Sequence, residues 1–232
     1  MAVLAFDTST AQGSVALIEG EKVLSQRSWI RERSHSEFLT AEIEAVLKEA
    51  NFPAKNLRAL AIGNGPGSFT GIRVAVNAAK SLGYALNLKT YVFDTNSILV
   101  EAIERTDLPV LTLINAQKNA FFTTIYKHNG KSWVESKPLA LTEFDDLAQL
   151  LTEPHLCVGD GCLDFPTDSL SPDQRSRFVR DLTINDYPSA VVLGRMSEDV
   201  VKSPEALVWN AVQALYIRAS GAEEKIREGL KR

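Results

Sequence analysis

Cysteine and histidine are scarce. The 232-residue chain has two cysteines, Cys157 and Cys162, and three histidines, His35, His128 and His155. The cysteines do not form a Cys-x-x-Cys pair, and a disulfide framework is not expected in a chain this large. No histidine stands four residues from another, so sequence spacing offers no metal site. Long apolar runs are also missing. No uninterrupted run approaches the roughly 20 residues of a bilayer span. The apolar start over residues 1–6 is too short for a signal peptide before Asp7 interrupts it, so a cytoplasmic location is expected. Excess positive charge is absent too: 25 Lys and Arg face 29 Asp and Glu, a formal net charge of −4. A chain without a basic field cannot supply most of the phosphate contacts that RNA needs, so a partner would have to hold any RNA.

What is present is an ordinary globular composition, 45% hydrophobic and 23% charged, long enough for one large domain or two small ones. The most informative stretch is Gly63-Asn64-Gly65-Pro66-Gly67-Ser68-Phe69-Thr70-Gly71-Ile72-Arg73. A short apolar run, residues 59–62, precedes it, and an Ala-, Val- and Leu-rich helical run to Leu88 follows. Its glycines suit positive φ or close backbone approach, and Ser68 or Thr70 can cap the helix. Such a junction reads either as an anion site or as a tight βα connection with no ligand. No Gly-Lys-Ser/Thr closes it, which excludes a P-loop, and its spacing is not the usual dinucleotide fingerprint.

The periodicity predicts a repeated plan. Strands over 2–7 and 14–18, the turn Glu19-Gly20-Glu21-Lys22 and a third strand over 23–29 form an antiparallel meander. A helix over 35–50 follows, with Ser34 as cap and Glu37 completing a capping box. A strand over 58–63, the glycine loop with its helix, a strand over 90–93 and a helix over 95–105 complete the first half. The second half repeats three strands, over 109–114, 121–126 and 133–135, with Asn129-Gly130 as a hairpin turn. A helix to Leu151 capped by Thr142, a strand over 156–158 and a second glycine turn, Gly159-Asp160-Gly161, come next. Residues 164–176 read as irregular, 178–182 as a strand and 190–201 as a helix. This defines a duplicated α/β chain, with a first lobe over 1–100 and a second, smaller lobe over 101–232. Its C-terminal helix is able to pack back on the first lobe. The turns Asp7-Thr8-Ser9-Thr10 and Asn115-Ala116-Gln117-Lys118, and both glycine turns, would face the cleft between lobes; each reads as a phosphate contact or as a solvated hairpin.

Asp7-Thr8-Ser9-Thr10, Ser14-Val15-Ala16-Leu17, His35-Ser36-Glu37, the run from Gly65 to Arg73, Ala79-Lys80, Gly159-Asp160-Gly161 and Leu215-Tyr216-Ile217-Arg218 together resemble the TsaB (YeaZ) family. The matches run in order from residue 3 to about 219, and the glycine loop is the most specific of them. The resemblance implies an actin-like, Hsp70-like, sugar-kinase-like (RNase H-like) fold, two lobes each with a central mixed sheet flanked by helices. It implies a non-catalytic subunit that binds the related catalytic subunit TsaD and, with the ATPase TsaE, supports threonylcarbamoyl transfer to an adenosine beside the tRNA anticodon. It implies no cofactor of its own, with ATP or ADP at the joint with TsaD, and a homodimer when the chain is alone.

Two departures bear on chemistry. A metal-holding His-x-x-x-His pair of TsaD falls here on Asn96 and Val100, and valine cannot ligate. Where TsaB relatives show Asp-Ala-Arg, this chain has Asn115-Ala116-Gln117, which removes a cleft carboxylate. An autonomous phosphotransferase of the sugar-kinase type and a metal protease of the same superfold are the alternative readings, and both lack these groups. The helix after the loop is apolar on two faces: Ile72, Val76, Ala79, Gly83 and Leu86 on one, Val74, Ala78, Leu82 and Ala85 on the other. The residues alone favour a helix sandwiched inside the lobe. The resemblance favours docking through the first face and the preceding helix, with Phe69 and Arg73 as anchors. The expected partner interface is therefore His35, Phe38, Phe69, Ile72 and Arg73, continued by Val76, Asn77, Ala79, Lys80 and Gly83. The expected nucleotide or phosphate contacts are Asp7, Thr8, Ser9, Gly65, Gly67 and Ser68. The charged tail over 222–232 reads as a solvated helix or as a contact with a third subunit.

Overall fold

The structure, a computed structural model, describes residues 2–30, 35–116, 119–200 and 206–217. The first half folds as β1 (Ala2–Asp7), β2 (Gln12–Glu19), β3 (Lys22–Ile30), α1 (His35–Glu49), β4 (Ala59–Gly63), α2 (Phe69–Leu86), β5 (Lys89–Phe93) and α3 (Thr95–Glu101). The second half holds β6 (Val110–Asn115), β7 (Ala120–His128), β8 (Trp133–Glu143), α4 (Phe144–Leu150), β9 (His155–Val158), α5 (Pro172–Arg177), β10 (Phe178–Val179) and α6 (Ala190–Val200). Each half builds a five-stranded mixed sheet, in the orders β3-β2-β1-β4-β5 and β8-β7-β6-β9-β10. In both, the first three strands are an antiparallel meander and the last two run parallel to the central strand.

The central strands are buried on both faces, and alternation decides what each face receives. On one side Leu4, Phe6, Leu17, Leu60 and Ile62 meet Leu39, Ile43 and Val46 of α1 and Ile72, Val76 and Ala79 of α2. On the other, Val3, Ala5, Ala16, Ala59 and Ala61 meet Leu193 of α6. The alanines keep that face shallow, and Gly194 lets α6 close in: a Cβ there would stand 2.3 Å from Ile18 Cδ1. The C-terminal helix thus completes the first lobe. Ser14 Oγ fixes its entry by accepting from Ala190 N–H (3.0 Å) and donating to Pro188 O (3.2 Å). In the second lobe, Leu99, Val100 and Ile103 cover one face of the sheet with Val110, Phe122 and Leu156. Phe165 fills the other, with Phe121, Phe144 and Phe178 all within 5.8 Å between ring centroids.

Several local expectations change. Thr142 does not cap α4; it lies in β8, which runs on to Glu143, and its hydroxyl bonds the Thr123 hydroxyl at 2.7 Å. The stretch over 164–176 is not wholly irregular, because Ser171 and Gln174 form a capping box that starts α5. The helix over 95–105 stops at Glu101, where the chain turns to bury Ile103. The strand over 178–182 is reduced to Phe178–Val179. Ser34, the proposed cap of α1, lies outside the described residues.

Candidate functional site

The glycine loop joins β4 to α2 at the end of the first sheet, directly against the turn that follows β1. The two are locked together by backbone. Ser68 N–H donates to Ser9 O at 2.7 Å, Thr8 Oγ1 donates to Gly71 O at 2.7 Å, and Thr95 N–H donates to Gly65 O at 2.8 Å. The glycines allow this approach: a Cβ at Gly67 would lie 2.2 Å from Ser9 O, and one at Gly71 1.8 Å from Thr8 O. Ser68 caps α2 by accepting from Gly71 N–H at 3.2 Å. Two of the N–H donors at this junction, those of Ser68 and Gly71, are therefore engaged within the chain.

Asp7, Thr8 and Ser9 are fully buried. Asp7 Oδ1 accepts from the Ser9 N–H and hydroxyl, both at 2.9 Å, while Oδ2 has no partner and sits where a Gly63 side chain would be. Burial pushes the Asp7 carboxyl up to about 6, against the opposing pull of the two Ser9 hydrogen bonds. Of the residues expected to contact phosphate, Asp7, Thr8, Ser9 and Gly65 are buried among protein groups, Gly67 is half-buried, and Ser68 is exposed with its side-chain oxygen accepting from the helix.

The interface residues separate into two sets. Ile72, Val76 and Ala79 are buried in the first-lobe core, and Gly83 is buried under Trp209, whose Cβ lies 3.2 Å from where a Gly83 Cβ would be. His35 is buried as well: Trp29 Nε1 donates to its Nδ1 (3.2 Å), and its Nε2–H donates to Thr10 O (2.8 Å), the tautomer these partners require. Burial holds the His35 imidazole below its ordinary pKa. These five residues are buried within the chain. The face expected against the sheet and the face expected outside have changed places: Val74, Ala78 and Leu82 are only half-buried, and Ala85 is exposed.

The outward set is coherent. Phe69 is half-buried against Tyr216, with centroids 4.9 Å apart, and the Arg73 guanidinium lies 4.8 Å from the Phe69 ring centroid. Asn77 is exposed, Lys80 half-buried, and Tyr84 is 71% exposed, edge-on to Trp209 at 5.3 Å. Phe38 of α1 is half-buried. Tyr84 and Trp209 escaped the sequence reading, and Tyr216 entered it only through the resemblance, not as an interface residue. Tyr84 stands eleven residues after Arg73, three helical turns along the same stripe, and that spacing was the available signal.

The second lobe carries a different constellation. Asn115 ends β6; its N–H donates to Asp160 Oδ1 (3.0 Å) and its amide to Asp164 Oδ2 (3.2 Å). Asp160 is pushed up to about 6, mainly by burial. Asp186 accepts from Gly159 N–H at 3.0 Å and pairs with Arg180. A groove of about 460 Å³ opens beside this turn, between Asn115, Asn119, Phe121, Phe144 and Asp164. Gln117 lies outside the described residues. Asn96 is buried in α3 with its Oδ1 accepting from Thr112 Oγ1 at 2.8 Å, and Val100 is core. Neither is placed as a ligand, and among the described residues no group of three His, Cys, Asp or Glu side chains could hold a metal ion.

Two lobes with the same meander-plus-parallel sheet, flanked by helices, define a protein of the actin-like, sugar-kinase-like class. Two solved Pseudomonas aeruginosa structures share the fold, one of them titled YeaZ; that one has a TM-score of 0.76 at 22% identity, covering 93% of this chain and 99% of the other. A family model described as "TsaD: tRNA N6-adenosine threonylcarbamoyltransferase" matches residues 21–174. A protein of Buchnera aphidicola subsp. Schizaphis graminum, named tRNA threonylcarbamoyladenosine biosynthesis protein TsaB, is 30% identical over 165 residues, 68% of this chain and 78% of the relative. A Bacillus subtilis protein of the same name is 23% identical over 162 residues, covering 68% and 71%. The chain belongs to the TsaB/YeaZ family, within the wider family that the TsaD model describes.

Proposed function

We propose that this chain acts in tRNA threonylcarbamoyladenosine formation as a non-catalytic subunit, docking on the catalytic relative TsaD and working with TsaE. The names of its relatives and the family match support the pathway. The single observation that carries the subunit role is the contrast between a cradle closed by its own backbone and an aromatic stripe left outside on α2. Phe69, Arg73, Asn77, Lys80 and Tyr84 are presented outward, and aromatic and Arg side chains are enriched at binding hot spots. No acidic residue occurs in α2, so its charged positions, Arg73 and Lys80, call for an acidic partner surface.

In this reading TsaD and TsaE contribute the reaction and the ATP hydrolysis, tRNA is held by the complex, and the chain has no cofactor of its own. ATP or ADP would lie at the joint with TsaD. The same stripe would serve a homodimer when TsaD is absent, in the cytoplasm. Among the described residues no helix is long and apolar enough to cross a membrane. Co-purification with the same organism's TsaD tests the proposal. Arg73→Glu combined with Tyr84→Glu should leave the fold intact and weaken binding by at least about 30-fold, the effect of losing one hot spot. Undiminished binding would move the interface elsewhere. A wild-type chain that fails to bind its own TsaD would overturn the subunit reading.

A further inference from the structure

The groove of about 460 Å³ beside Asn115 lies in the lobe that does not carry α2, and its walls are firmly backed. Phe121 and Phe144 line it, and their ring centroids stand 5.8 and 5.2 Å from that of buried Phe165. Phe165 stacks in turn on Phe178 at 5.0 Å. Phe144 N–H donates to Asn119 O at 2.9 Å, which ties the start of α4 to the β6–β7 turn. Among the described residues Asp164 is the charged group that lines the groove, and the Asn115 amide orients its carboxylate by donating to Oδ2 at 3.2 Å.

The surroundings carry one sign of charge. Residues 138–174 hold eight Asp and Glu and no Lys or Arg, so the acidic excess of the chain resides here. Three of the eight are paired with cations outside the stretch: Glu153 with Lys127, Asp168 with Arg175 and Asp173 with Arg177. The other five are Glu143, Asp145 and Asp146 around Phe144, Asp160 against the Asn115 N–H, and Asp164 itself. None of these five has a salt bridge among the described residues. Helix α2 has the opposite character, with Arg73 and Lys80 and no acid, so a partner surface that suits one does not suit the other.

An acidic rim repels phosphate and nucleic acid. Aromatic walls select an apolar stem. Arg and Lys join such a stem to a cationic head, and Arg in addition stacks on aromatic faces and meets carboxylates through a planar fork. We propose that this groove receives an arginine side chain from a basic segment of a partner protein, its stem against Phe121 and Phe144 and its guanidinium on Asp164. Charge separates this contact from the docking of TsaD on α2, so the inference does not rest on that reading.

Binding of acetylated tetra-arginine amide to the full-length protein at low salt tests it, followed by amide chemical shifts and calorimetry. The shifts should centre on residues 119–122, 143–146 and 163–166. Phe144→Ala and Asp164→Asn should each weaken binding by at least about threefold. Glu153→Gln, at a carboxylate that does not line the groove, should leave it unchanged. Tetra-lysine should bind more weakly, because an ammonium lacks the planar fork that stacks. Amides of β1 and α6 report that each variant is folded. Equal weakening by Glu153→Gln would mean general attraction to an acidic surface and would overturn the proposal. Shifts centred elsewhere, absence of binding, or equal affinity for tetra-lysine would overturn it as well. Arginine amide alone binding as tightly as the peptide would assign the groove to a small cationic ligand and overturn the partner segment.

Discussion

Asp7 and Asn115 hold the same place, the last residue of the central strand in each lobe, with opposite consequences. In the first lobe the carboxylate lies on that strand and is sealed beneath the glycine loop. In the second an amide stands there, the carboxylate has moved to Asp160 on the glycine turn, and a groove lined by Phe121 and Phe144 remains beside it. Both carboxyls are pushed up to about 6 by burial, yet Asp7 is fully buried while Asp160 keeps part of its surface in water. One sheet plan therefore tolerates a closed strand end and a half-open one. What differs is whether neighbouring backbone or side chains fill the space above the strands.

The comparison is broken most severely at the glycines. Gly71→Ala would place a Cβ 1.8 Å from Thr8 O, and Gly159→Ala would place one 2.1 Å from Leu113 O at a φ of +112°. Each should cost about 3–5 kcal/mol in urea unfolding. Gly20→Ala, at φ +57° with nothing within 4 Å, should cost only about 1 kcal/mol. Equal losses at all three would mean that close packing is not what the first two glycines serve.

The next largest effect separates the two acids by pH. Asp7 has a folded pKa raised from 3.8 to about 6, so its contribution is full below 3.8 and lost as the pH rises through 6. Two units correspond to about 3 kcal/mol. Asp7→Asn should match the wild type near pH 4 and exceed it by up to that amount at pH 8. Asp160→Asn should show the same sign with a smaller gain, since water reaches part of that carboxyl. His35 runs the other way: its contribution is full above 6.5 and declines as acid protonates the ring. Stability curves of the variants against pH read all three.

The smallest effect lies at the open edge of the second lobe. Thr142→Val removes the hydroxyl pair with buried Thr123 and should cost about 1 kcal/mol. No change in the unfolding midpoint would show that water replaces the bond.

The strand–loop–helix junction and the doubled sheet were legible because glycine positions and alternation are local signals. The orientation of α2 was not. Both of its stripes are apolar and small, so hydrophobicity could not rank Val76 against Val74. Tertiary packing decided: α1 and the sheet took Ile72, Val76 and Ala79, and the segment around Trp209 crossed at Gly83. Closure of the cradle was hidden for a related reason. Glycine spacing reports that something approaches closely, and here the approaching atoms are Thr8 O and Ser9 O of the chain itself. The capping box at Ser171 was readable but lay in a Pro- and Asp-rich stretch that suggested loop.

The alanine-lined face of the first sheet is covered by α6, more than 170 residues beyond the β2 strand that receives it. During synthesis the amino-terminal strands therefore emerge long before the helix that shields them. At ~5–20 residues per second that interval is roughly 10–40 s. Ala5, Ala16, Ala59 and Ala61 present little apolar surface over that wait, which leaves Val3 and Ile18 as the larger side chains of these strands on that face. The same small side chains that let the helix sit close thus also keep the nascent sheet from sticking to its neighbours.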